Sequence, residues 1–146
     1  MANYWAKAAH QITLLTFDDK NSPHYHISES IQWHALNISS QSKSWIGGLI
    51  NNLKRIHVLR KFILQSEPDC VISFLYSTNI LVLLATRFLP CKVIISERNY
   101  PKYSKNNRLI WDWLRKSLYH LADHLVVQTS EIKTFLYVFI LIRSNS

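Results

Sequence analysis

The sequence predicts an α/β fold: a Rossmann-like, mostly parallel sheet with helices on both faces. Two observations predict it. The runs CVISFLYS (70–77) and KVIISE (92–97) are apolar without alternation, as strands are when both faces of a sheet are covered. These runs alternate along the chain with stretches whose apolar residues recur at helical spacing. Size agrees, since 146 residues with 48% apolar content make one domain's worth of chain with enough side-chain volume for a core.

Taken in order, NYWAKAA (3–9) reads as the last turns of a helix that begins before the chain does, because no capping residue or earlier apolar turn precedes Tyr4 and Trp5. HQITLLTFDD (10–19) is a β-branched and apolar run ending in a turn-forming Asp-Asp. IQWHALNI (31–38) alternates Ile31, Trp33 and Ala35 against Gln32, His34 and Leu36. Both are expected to be strands, with polar loops after each, at 20–30 and 39–44. Over 45–65 the apolar residues Leu49, Leu53, Ile56, Leu59 and Ile63 fall on one face of a long helix, with Lys54, Arg55 and Lys61 off that stripe. Glu67-Pro68 stops it. The strand 70–77 follows, then a largely buried helix over 79–89 ended by Pro90, the strand 92–97, and a helix over 104–122 carrying Ile110, Trp111, Leu114, Leu118 and Leu121. LVVQTS (125–130) is the last buried strand. The expected domain spans 1–131, and the apolar tail 132–146 departs from the pattern, as at a frameshifted or truncated chain end.

Composition excludes several function classes. With 2 Gly and 4 Pro, neither a glycine-rich phosphate loop nor a GxGxxG cradle can be built. Seventeen Lys+Arg against nine Asp+Glu give a formal charge of +8, which draws the surface to phosphates on nucleic acid, an anionic bilayer or a small ligand. Cys70 and Cys91 are the only cysteines and have no zinc-ligand spacing, which suits a reducing compartment. The first fifteen residues lack the apolar core and cleavage site of a secretory signal, and 70–86 is too polar in its middle for a bilayer span. The expectation is a cytoplasmic protein, peripheral on the inner face of the cell membrane if it meets a membrane at all.

In an open parallel sheet, ligands bind beyond the carboxyl ends of the strands. Three such ends carry polar groups: Tyr76-Ser77-Thr78-Asn79, Glu97-Arg98-Asn99-Tyr100, and Thr129-Ser130-Glu131. Ser77 or Thr78, and Thr129 or Ser130, suit N-caps whose neighbouring backbone N–H groups can hold an anion; a plain structural cap is the competing reading. Glu97, Arg98 and Asn99 combine a carboxylate, a guanidinium and an amide, which suits sugar hydroxyls and a phosphate. A surface ion pair is the plainer alternative.

Other chemistries find little support. His24-Tyr25-His26 and the pair His120 and His124 lack a third ligand nearby, so no metal site is expected. The glutamates at 29, 67, 97 and 131 are too scattered for a general acid–base pair, and no nucleophile elbow is present. The helix with Arg108, Trp111, Trp113, Arg115 and Lys116 has the composition of one lying in a bilayer interface, and the cationic helix 45–65 adds to it. No nucleic-acid-binding motif accompanies the basic charge, which argues against nucleic acid as a partner.

The segments NYWAKAAHQITLLTFDD, NNLKRIHVLRKFILQSEPDCVISFLYSTNILVLLATR, KVIISERNYP and LADHLVVQTS, in that order, resemble the amino-terminal domain of family 4 glycosyltransferases, enzymes of the GT-B fold. The resemblance covers about 3–131. It implies a retaining transfer of sugar from a nucleotide-sugar donor to a glycan or lipid-linked acceptor in bacterial polysaccharide assembly. In that fold the first of two Rossmann-like domains chiefly holds the acceptor and the second the nucleotide-sugar, and no metal or other cofactor is needed. On that pattern Ser77, Thr78 and Asn79 match one loop bordering the cleft, and Glu97, Arg98 and Asn99 another. They would orient acceptor hydroxyls or donor phosphates without being nucleophiles. Tyr100 stands where the family often has Asp. The family's first strand with its small-residue loop, and its second domain with two glutamates separated by seven residues, have no counterpart here. The expectation is a glycosyltransferase fragment, inactive by itself and completed by a separate second domain; the alternative is a non-catalytic module that binds a membrane or a partner.

Overall fold

The computed structural model describes residues 1–18, 26–38, 44–97 and 108–128. The loop residues 19–25 and 39–43, Arg98 to Asn107, Thr129, Ser130, Glu131 and the tail 132–146 lie outside the described residues. The chain forms two compact units, Met1–Leu53 and Lys54–Ser146.

In the first unit, α1 (Ala2–Lys7) leads to β1 (Thr13–Thr16) and β2 (Gln32–Ala35), which pair in parallel with Leu14 beside Trp33 and Leu15 beside His34. Burial in β2 alternates as its sequence does, with Trp33 and Ala35 half-buried and Gln32 and His34 exposed. Both strands are shorter than the apolar runs that contain them. Side-chain hydrogen bonds tie the unit together: Trp33 Nε1 donates to Thr16 Oγ1 at 3.1 Å. Asn3 Nδ2 donates to the His26 carbonyl at 2.8 Å while its Oδ1 accepts from Ser28 N at 3.1 Å.

The helix α2 (Trp45–Ser66) carries the expected apolar stripe, but only its second half buries it. Leu59 and Ile63 are 3% and 5% exposed, whereas Ile46, Leu49, Ile50 and Leu53 are all more than half exposed. The second unit continues with β3 (Cys70–Phe74), α3 (Tyr76–Thr86), β4 (Lys92–Glu97), α4 (Arg108–Leu118), a 3-10 turn (Tyr119–Leu121) and β5 (His124–Val127). Its three strands form a parallel sheet ordered β3-β4-β5, so β4 is hydrogen-bonded on both edges. Parallel sheets flanked by helices make this an α/β, Rossmann-like arrangement. At the core of the unit Ile80, Leu83, Ala85 and Ile95 are almost wholly buried.

Two polar contacts fix this unit. Asp123 Oδ2 accepts from Val93 N at 2.7 Å, and Asp123 N donates to Val93 O at 2.9 Å, which sets where β5 enters beside β4. Arg60 Nη1 of α2 donates to the Ala85 and Arg87 carbonyls, both at 2.9 Å, and so satisfies the open carbonyl end of α3. Arg60→Ala is expected to cost about 1–3 kcal/mol, the range for a charged hydrogen bond, read as a lowered denaturation midpoint with an unchanged m-value. An unchanged midpoint would show that water replaces the cap at no cost.

Candidate functional site

The register of the second sheet places two of the polar strand ends side by side. Phe74 at the end of β3 lies beside Ser96 of β4, so the two strands end at the same edge. There the chain turns from β3 into α3 through Leu75, which adopts φ 72° and ψ 138°. That region costs a residue with a Cβ about 1–3 kcal/mol. The turn is held by Leu75 N donating to Ser96 O at 3.3 Å and by Asn79 N donating to Leu75 O at 2.8 Å.

The helix therefore begins at Tyr76, three residues before the sequence expectation. Leu75, with no side-chain hydrogen bond to the helix, occupies the N-cap position expected for Ser77 or Thr78. The physical reason is the Asn79 side chain, which bonds inward across the sheet edge and draws the first turn of α3 back onto β4. Ser77 and Thr78 lie in that first turn and are half-buried.

Asn79 and Glu97 are both fully buried. Asn79 Nδ2 donates to the Ser96 carbonyl at 3.1 Å and to Glu97 Oε2 at 3.2 Å. The same carboxylate oxygen accepts from the Tyr119 hydroxyl at 2.7 Å. Arg115 of α4 approaches the other oxygen, with Nη2 3.7 Å from Glu97 Oε1, while its Nη1 donates to Asp112 Oδ1 at 2.9 Å. Its guanidinium lies over the Tyr76 ring, 4.6 Å from the centroid. Asn79 Oδ1, Glu97 Oε1 and Arg115 Nε have no hydrogen-bond partner within the described residues. The cluster is thus paired in charge but short of hydrogen bonds.

This burial sets the protonation chemistry. Loss of hydration raises the Glu97 carboxyl above the ordinary carboxylate range, against the lowering effects of the Tyr119 hydrogen bond, the Arg115 charge and the Asn79 hydrogen bond. Burial, and then the Glu97 charge, push the Tyr119 hydroxyl up as well, so it remains a proton donor throughout the physiological range.

Of the six residues singled out in the sequence, Ser77, Thr78, Asn79 and Glu97 are gathered at one sheet edge; Arg98 and Asn99 lie outside the described residues. Glu97 and Asn79 face the interior and each other. Sequence reasoning missed Arg115, Tyr119 and Asp112. The sequence places Arg115 among the residues of an interfacial helix, yet it is 5% exposed. The spacing of Arg115, Leu118 and Tyr119 carried the signal, since these positions share a helix face. The side chains of Arg108 and Trp111 lie outside the described residues.

A group whose folded pKa is raised binds its proton more tightly when folded. Its contribution to stability is present below the ordinary carboxylate range and is lost as pH rises through the folded value. Glu97→Gln, which cannot ionise, is therefore expected to gain stability relative to the unsubstituted chain as pH rises from about 4 to 8, measured by urea denaturation at each pH. A difference that stays constant across that range would show that Glu97 ionises normally.

Residues 1–138 match the family model described as Glycosyltransferase Family 4. Over 87 residues the chain is 36% identical to a protein of Campylobacter jejuni subsp. jejuni serotype O:2 named GalNAc-alpha-(1->4)-GalNAc-alpha-(1->3)-diNAcBac-PP-undecaprenol alpha-1,4-N-acetyl-D-galactosaminyltransferase. That match covers 60% of this chain and 24% of the relative. With its parallel sheets, its polar sheet edge and a match over nearly its whole length, the chain belongs to glycosyltransferase family 4.

Proposed function

We propose that this chain forms the acceptor-side wall of a glycosyltransferase that moves a sugar from a nucleotide-sugar to a lipid-linked glycan. The observation that carries the reading is the family match over residues 1–138, joined to a relative whose name specifies an undecaprenol-diphosphate-linked acceptor. On this reading the edge formed by the ends of β3 and β4 faces the acceptor. Ser77 and Thr78 offer hydroxyls and open backbone N–H groups at the start of α3, and Arg98 and Asn99 offer a cation and an amide directly after Glu97. None of these groups is a nucleophile. Their work is to hold hydroxyls and phosphates in place while the donor, bound by a second domain, is attacked.

A lipid-linked acceptor also calls for a membrane surface. The exposed row Ile46, Leu49, Ile50 and Leu53 on α2, followed by the exposed Lys54, supports peripheral contact with an anionic bilayer, as do exposed Ile110, Trp113 and Lys116 on α4. Among the described residues, no helix is long and apolar enough to cross a membrane. Arg115 takes no part in this surface, being committed to Glu97 and Asp112.

Transfer of label from radiolabelled nucleotide-sugars to a membrane-lipid extract tests the function, with the chain alone and with a second domain from the Campylobacter relative added. Transfer is expected on addition, falling roughly 10- to 100-fold in Arg98→Ala, as for loss of one charge-assisted phosphate contact. Folded protein that transfers nothing in either arm would favour the non-catalytic module. Pelleting with anionic liposomes tests the membrane surface: the paired variant Leu49→Ser and Leu53→Ser should cut partitioning at least about tenfold, from the lost burial of two leucines. Binding that ignores these two residues, or is absent at low salt, would remove this face from the reading.

A further inference from the structure

The two cysteines of the chain lie at the amino end of the second sheet, away from the polar edge. Cys70 is the first residue of β3 and is exposed, and Cys91 directly precedes β4 and is half-buried. We propose that Cys70 and Cys91 form a reversible dithiol site, which a peroxide closes to a disulfide joining β3 to β4. The inference is independent of the reading above, since neither residue belongs to the edge assigned to the acceptor.

Strand register brings the pair within reach. β3 and β4 run parallel with Cys70 beside Lys92, and Lys92 N donates to the Asp69 carbonyl at 3.0 Å, so Cys91 is the diagonal neighbour of Cys70. Neighbouring strands lie about 4.8 Å apart and rise about 3.3 Å per residue, which puts the two α-carbons about 5.8 Å from each other. Disulfides span α-carbon separations of about 4.4–6.8 Å. Diagonal residues inside a pleat point to opposite faces, but Cys91 stands in the bend before β4, ahead of the pleat. The charges around the thiols agree with this placement: Asp123 acts on both of them, and Cys70 acts on Cys91. Loss of hydration comes first among the causes that raise each thiol above its ordinary range, followed by Asp123 at Cys70 and by Cys70 at Cys91. Little thiolate is therefore present at neutral pH, and the pair stays reduced until an oxidant is supplied. The Cys70 sulfur, the more exposed, attacks one oxygen of the peroxide; the O–O bond breaks, water leaves with the thiol proton, and a sulfenic acid remains. The Cys91 sulfur then attacks the Cys70 sulfur, so that the S–S bond forms, the S–O bond breaks, and a second water leaves with the Cys91 proton. The closed ring 70–91 contains the whole of α3. It also secures β3, which is hydrogen-bonded within its sheet to β4 alone among the described residues.

The full chain, reduced and then treated with hydrogen peroxide, tests the site. A non-reducing tryptic digest should show peptide 62–87 joined to peptide 88–92. The joined pair should weigh about 2 Da less than the two thiol peptides together, and dithiothreitol should part them. The linked chain should melt about 5–10 °C above the reduced one, since a disulfide that closes a ring of this length restricts the unfolded state. Cys70→Ser and Cys91→Ser, treated alike, should each lack both the joined peptides and the rise in melting temperature. Thiols left unlinked would overturn the proposal, as would a gain of about 32 or 48 Da on peptide 62–87, the mark of a sulfinic or sulfonic acid formed with no second thiol in reach. A link formed only between chains, seen as a dimer on a non-reducing gel, would also overturn it. So would a linked chain that melts at or below the reduced one, because closing the ring would then have cost the register that brings the two residues together.

Discussion

Burying one carboxylate at the end of a central strand governs the arrangement of the second unit. Glu97 cannot sit at zero exposure unless its charge is paired or its proton retained, and the structure supplies groups for both. Arg115 brings the counter-charge, which requires α4 to turn a basic residue toward the sheet. Tyr119 brings a donor, which requires the helix to tighten into the 3-10 turn at Tyr119–Leu121 with the phenol pointing inward. Asn79 brings a second donor, which draws the first turn of α3 onto β4 and puts Leu75 into a conformation that a Cβ resists. The strain at Leu75 and the missing side-chain cap on α3 follow from satisfying the interior.

That constraint also concentrates chemistry at one edge. A parallel sheet ends every strand on the same side, so the carboxyl ends of β3 and β4 lie together. Helix α3 then begins with backbone N–H groups that no cap side chain occupies. The hydroxyls of Ser77 and Thr78 lie in that first turn. None of this needs flexible glycine loops, and the chain, with two glycines in 146 residues, has none to spare for them.

Periodicity made the architecture readable in advance. The apolar runs of β3 and β4 read as strands, the order of elements followed, and the bounds of β4 agree to the residue. What periodicity could not read was the direction of charged residues. In 108–118 the apolar residues Ile110, Leu114 and Leu118 suggest one buried face, but the inward face carries Arg115, Leu118 and Tyr119 while Ile110 lies exposed. Charge is assumed to seek water unless a partner is known, and the partner, Glu97, lies 18 positions earlier in sequence. The same blindness hid the start of α3, since the Asn79 bonds that set it run to residues 96 and 97. Long-range polar pairs are invisible to a scale that scores each residue by itself.

The opposite failure appears in α2, where the stripe was real but its destination was not what an amphipathic pattern implies. A spacing of three and four says only that apolar residues share a face; it does not say what covers that face. From Leu59 onward the face is buried in protein, and Arg60 reaches from beside it to close the end of α3. From Ile46 to Leu53 the same spacing is kept with the side chains exposed, and a lysine follows at once. One continuous helix thus changes its environment midway while its sequence pattern does not change. The apolar face serves as core where the protein supplies a partner, and in its first half the same spacing leaves it exposed.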